Sequence, residues 1–193
     1  MTESRTAGET PSPSGTGGIV VLGVGNLLLT DEGVGPTMIA HLNQRWEFPP
    51  HVELVDGATA GLELINVFNR AAHIVVIDTV RGGAEPGAVF RFHPDDVPRD
   101  LRYRTSIHQI SFIDAWNMAR LLGPAPEITI IGVQPEDMST PHVGLTATIE
   151  ARLPAIEGII LAELARLGVE PRPRGDQGPL RAGALGGEAA EES

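Results

Sequence analysis

The chain reads as an α/β protein, a three-layer sandwich with a mostly parallel twisted sheet of about five strands flanked by helices. Two observations predict this. Short apolar runs alternate with longer segments of helical periodicity along most of the chain. The strongest runs, IVVLGV (19–24), HIVVIDTV (73–80) and EITIIGVQP (127–135), are almost continuously apolar. Parallel strands are covered on both faces, so they need no polar side.

Each element has its own signal. The run at 19–24 is a buried strand. Residues 37–46 carry Met38, Ile39 and Leu42 near one face, as a helix would. HVELVD (51–56) alternates and runs into Asp-Gly, a strand ending in a turn. Residues 60–68 place Leu62, Ile65 and Phe68 at helical spacing. After the strand at 73–80, AVFRF (88–92) is a short strand at an edge. Residues 108–122 form a helix through Ile110, Ile113 and Leu121, followed by the strand at 127–135. Residues 146–167 read as one long helix striped by Ile149, Leu153, Ile156, Ile160, Leu164 and Leu167. Pro154 within it marks either a kink or the true first turn. The expected strand order is 51–56, 19–24, 73–80, 127–135, with 88–92 outermost.

Composition sets the frame. The first 17 residues are rich in Ser, Thr, Gly and Pro, and cannot bury enough apolar surface to offset the entropy of ordering. We expect 1–17 to be a disordered tail, 18–170 a single domain and 171–193 a flexible tail. A chain of 193 residues, 41% hydrophobic, suits one domain with a real core. Its formal charge of −11 gives no general pull toward nucleic acid or an anionic membrane. The absence of cysteine removes disulfides, thiolate metal sites and thiol nucleophiles. The N-terminus lacks the apolar core of a signal peptide, and no apolar run reaches the roughly 18 residues of a membrane span. The expectation is a cytoplasmic protein. With 4% aromatic residues and no obvious large apolar patch, it is expected to be a monomer.

Ligands of open α/β sheets bind outside the carboxyl ends of the strands, where the strand order reverses. That edge is rich in acids here. Asn26, Asp31 and Glu32 follow the first strand, Asp56 ends the second, Asp78 ends the third, and Gln134 and Glu136 follow the last. The loop GVGNLLLTDEGVG (23–35) stands where a phosphate loop would, yet Leu28 replaces the third glycine of a dinucleotide fingerprint and two acids would repel phosphate. No GxxxxGK[ST] motif is present. Asp78 closes an apolar run and needs a partner, either loop amides or a metal, because desolvating it alone costs several kcal/mol (~3–5). Glu32 is either a charge favoured at a helix N-terminus or a ligand. His108 opens a helix whose dipole disfavours the imidazolium and favours the neutral, metal-binding form. It is either a structural histidine or a ligand.

GVGNLLLTDEGVGP, DGATAGLEL, VVIDTV, SIHQIS and GVQPEDMSTPHVGLTATIE, in this order and spacing, resemble the nickel–iron hydrogenase maturation proteases. The resemblance covers about 19–168, nearly the whole expected protease domain. It implies an endopeptidase that cuts a C-terminal extension from a hydrogenase large-subunit precursor after nickel insertion. It implies that Glu32, Asp78 and His108 contact the metal and form the catalytic site, with Asn26, Asp56 and Gly57 shaping the loops around it. Asp31 reads as a helix-start carboxylate, with a supporting or general-base role as the alternative, and His142 as structural or peripheral.

Two carboxylates and one imidazole hold a divalent ion weakly and leave positions open. We therefore expect nickel to be supplied by the precursor rather than bound tightly beforehand. The alternative is a nickel-checking module or chaperone that recognises the loaded large subunit without cutting it. A metallopeptidase carrying its own zinc is a third reading, but HExxH is missing.

Overall fold

The computed structural model describes residues 17–57, 63–96 and 107–175, with the backbone alone described at 63, 65, 107–111, 113, 114 and 122. The expected N-terminal tail, except Gly17, and residues 176–193 of the C-terminal tail lie outside the described residues.

The elements follow in order: β1 (Gly18–Gly23), α1 (Val34–Arg45), β2 (Trp46–Glu47), β3 (Val52–Asp56), α2 (Glu63–Arg70), β4 (Ala71–Thr79), β5 (Val89–Phe92), α3 (Ile107–Leu122), β6 (Glu127–Val133), α4 (Ala147–Glu150), α5 (Leu153–Arg166) and β7 (Arg172–Pro173). Short 3-10 turns span Thr30–Gly33 and Pro94–Asp96. The main sheet runs β3-β1-β4-β6-β5, as the sequence predicts. Four strands are parallel, and β5 closes one edge antiparallel to β6.

Side chains alternate across the strands and so build two cores. On one face Val21, Val75, Ile77 and Ile131 meet Val34, Met38 and Leu42 of α1 and Ile156, Ile160 and Leu164 of α5. On the other, Val20, Leu22, Ile74, Val76 and Ile130 meet Leu64, Val67 and Phe68 of α2 and Phe112 and Trp116 of α3. This double cover explains why the strands read as continuous apolar runs.

Buried charge ties the helices to the sheet margins. Glu163 of α5, 4% exposed, receives two hydrogen bonds from the Arg91 guanidinium of β5, at 2.7 and 2.9 Å. Thr129 and Arg166 donate to the same carboxylate. Glu157, also buried, joins His41, Arg45 and the Trp46 indole N–H, locking the end of α1 against α5.

Two local expectations are corrected. The span 146–167 is not one helix: α4 ends at Glu150, and Pro154 lies in the first turn of α5. Proline has no N–H to continue the ladder and fits a first turn, where no such donor is needed. The ordered chain also continues past 170, because β7 pairs antiparallel with β2. No apolar signal marks that pairing, which rests on backbone bonds at an edge.

Candidate active site

The parallel register brings the ends of β1, β3 and β4 to one edge. Gly23 stands opposite Asp56 on one side and Ile77 on the other. Asp78, one residue further along, pairs in register with Gly132 of β6. Its side chain is fully buried, and its Oδ1 accepts the backbone N–H of Thr79 at 2.7 Å.

Glu32 reaches the same edge through the loop after β1. The Val24 N–H donates to the Ile77 carbonyl at 2.8 Å, anchoring the loop beside the end of β4. The Asn26 N–H donates to the Glu32 carbonyl, and the Glu32 N–H to the Leu29 carbonyl, both at 3.0 Å. This small ring forces Gly25 to φ +145°, and a Cβ there would lie 1.9 Å from the Glu32 carbonyl oxygen. The start of α1 is equally close: a Cβ on Gly35 would lie 2.6 Å from the Ile77 carbonyl oxygen. Glycine is therefore required for two reasons, its left-handed backbone at 25 and close approach at 35. Glu32 itself is 9% exposed, and among the described residues its carboxylate has no hydrogen-bond partner.

Thr30 is a β-branched residue at φ 45°, a conformation that carries strain. Its N–H donates to the His142 carbonyl at 3.0 Å and its hydroxyl to the Thr140 carbonyl at 2.6 Å. The His142 N–H donates back to the Leu28 carbonyl. His142 thus serves through its backbone while its side chain is exposed, in keeping with a structural or peripheral place.

Asp31 is the residue whose role the sequence understated. It is fully buried. Its Oδ2 accepts the N–H groups of Glu136 and Asp137, each at 2.9 Å, and the Thr146 hydroxyl at 3.1 Å. Its Oδ1 accepts the Thr146 N–H at 2.8 Å. Three of these bonds fall on Oδ2 and one on Oδ1, so four donors hold the carboxylate in place. Asp31 is not a solvated helix-start charge; it fastens the loop at 134–146 to the turn carrying Glu32. Its partners lie more than 100 residues away, so no local pattern signals them. Within that loop the Thr140 side chain, followed by the Ser139 amide and hydroxyl, holds the Asp137 carboxyl well below the usual carboxylate range. Gln134 orders the exit from β4, its Oε1 accepting the N–H groups of Gly82 and Gly83.

The third expected residue, His108, is the second residue of α3. The helix spans 16 residues, about 24 Å. It packs along the sheet through Phe112 and Trp116, and the Trp116 indole donates to the Pro126 carbonyl just before β6 begins. The end of α3 therefore lies at the strand-start edge, and the helix runs back from there along the sheet. The His108 side chain is outside the described residues. Among the described residues no group of three His, Asp or Glu side chains is placed to hold an ion. Of the three expected residues, the two whose side chains are described, Glu32 and Asp78, are both buried.

Known proteins share this frame. The family profile HycI, "Hydrogenase maturation protease", matches residues 36–163. The Hydrogenase 2 maturation protease of Escherichia coli K12 is 40% identical over 159 residues, covering 81% of this chain and 96% of its own. The structure of the hydrogenase maturating endopeptidase HybD from E. coli superposes with a TM-score of 0.75 at 38% identity, covering 81% of this chain and 98% of that one. The HybD protease of Thermococcus kodakarensis shares the fold at 23% identity, with a TM-score of 0.63 over 77% of this chain and 99% of that one. A buried acid ending β4, a second acid in the loop after β1, and agreement over most of the chain place this protein in the hydrogenase maturation protease family, as an endopeptidase.

Proposed function

We propose that this endopeptidase removes the C-terminal extension of a nickel–iron hydrogenase large-subunit precursor, in the cytoplasm, once nickel has been inserted. The observation that carries the reading is that two sunken carboxylates, Glu32 and Asp78, lie at one strand-end edge, to which the reading adds His108 from the start of α3.

The donor set suits a divalent ion of borderline hardness: two carboxylates from rigid elements and one imidazole from a helix start. A metal held there supplies Lewis-acid polarisation of a carbonyl or activation of water. Three protein donors leave positions for the precursor's own ligands, so nickel arrives with the substrate and serves as the signal that insertion is complete. The chain's own residues do the positioning. The ring through Asn26 and Leu29 fixes Glu32, and the Thr79 amide orients Asp78. Burial of both acids keeps bulk water away and strengthens their interaction with a cation.

Intact-mass spectrometry of a cognate precursor, with and without nickel, tests this. Loss of a C-terminal peptide from the nickel-loaded form alone, abolished by Asp78→Ala, is expected. Cleavage without nickel would remove the metal gate. Tight stoichiometric nickel on the purified protein would overturn delivery by the substrate.

A further inference from the structure

Large apolar side chains on a protein surface are ordinarily scattered. Among the described residues five are exposed, and three of them, Leu27 (41%), Leu28 (64%) and Val143 (70%), come from two loops that meet beside Glu32. The His142 N–H donates to the Leu28 carbonyl, which brings Val143 next to Leu28. A Cβ on Gly33 would lie 3.1 Å from the Leu27 Cα, so Leu27 covers the residue that follows Glu32.

Neither loop is free to fold these side chains away. The Leu28 N–H donates to the Asn26 side chain at 3.0 Å. Leu28, Thr30, Thr140 and His142 are joined through their backbones and the Thr30 hydroxyl. Asp31 fastens the second loop from beneath at Glu136, Asp137 and Thr146. A lip of this kind is preformed, and it holds apolar surface in water at a standing cost.

We propose that Leu27, Leu28 and Val143 form a docking lip for an apolar stretch of the precursor polypeptide beside the bond that is cut, a reading that rests on the proposed function. The occupant follows from continuity. The Glu32 N–H bonds to the Leu29 carbonyl, a turn that holds the two α-carbons within about 7 Å. An extended substrate advances about 3.3 Å per residue. Leu29 adjoins Leu28, and Leu27 lies against Gly33, so a chain whose scissile bond lies at Glu32 has the lip within reach two to four residues away. A rigid apolar contact at that distance adds affinity without contributing to the chemistry.

The test compares wild type, the double variant Leu28→Asp/Val143→Asp and the control Leu121→Asp. Leu121 is 82% exposed in the last turn of α3, at the opposite edge. Both affinity for, and cleavage of, a nickel-loaded precursor are measured. The expected result is affinity about tenfold weaker or more, with KM raised in step. The kcat should stay within about twofold, because uniform binding alone is lost. Leu121→Asp should match wild type. Unchanged affinity and KM in the double variant would overturn the lip. If wild type binds but does not cut, the endopeptidase reading fails while the lip is still judged by affinity. If wild type neither binds nor cuts, both fail.

Discussion

Asp31 accepts the backbone N–H of Thr146 at 2.8 Å across 115 residues of sequence. That bond, with three others to the same carboxylate, joins the first loop of the site to the last. The turn carrying Glu32 and the loop at 134–146 are therefore tied together.

Replacing Asp31 by alanine would strand three backbone N–H groups and one hydroxyl. Bonds to a charged acceptor are the stronger class, so the loss should be about 3 kcal/mol. In a domain of this size that lowers the melting temperature by roughly 6–12 °C. Asp31→Asn should lose less, because only one amide N–H would face its NH2 group. Thermal unfolding of the two variants checks the order, and equal losses would argue against the clip.

Gly25→Ala addresses Glu32 from the other side. The new Cβ would lie 1.9 Å from the Glu32 carbonyl, at a φ that alanine resists. Backbone strain and overpacking together should destabilise the fold by about 3 kcal/mol or more. Precursor cleavage should be lost at temperatures where circular dichroism still reports a folded protein.

Glu163 gives a stability signature in acid. Its hydrogen bonds from Arg91, helped by Thr129 and Arg166, hold its carboxyl at about 2, below its ordinary 4.5. A depressed folded-state value stabilises the protein above the unfolded value, and this is lost as pH falls through the folded one. Glu163→Gln should therefore cost about 3 kcal/mol at neutral pH. The gap between variant and wild type should narrow from about pH 4.5 and close near pH 2. Urea unfolding at a series of pH values measures it, and a gap constant down to pH 2 would remove Glu163 as its source.

Asp78→Asn and Glu32→Gln keep shape while removing charge. Asp78→Asn can still accept the Thr79 N–H. Each should lower single-turnover cleavage of the nickel-loaded precursor by about 100-fold or more, since even outer-shell changes at metal sites cost 10–100-fold. Folding should be preserved in both. Activity within a few-fold of wild type would take that residue out of the catalytic set.

Much of this architecture is written in the sequence. The apolar runs of β1, β4 and β6 are continuous because helices cover both sheet faces, and this implied a parallel sheet; the expected strand order matches the observed one. Once the order is known, the edge holding Glu32, Asp56 and Asp78 follows, since Asp56 and Asp78 stand at strand ends and Glu32 lies in the loop after β1. The amino-acid sequence by itself determined these features because burial and periodicity are properties of neighbouring residues. The tertiary structure alone decided the rest: four donors around Asp31, the pairing of β2 with β7, and the meeting of Leu28 with Val143. Each joins segments about 100 residues apart or more through a few hydrogen bonds, most of whose donors are backbone groups that nearly every residue carries and that leave no mark in local composition.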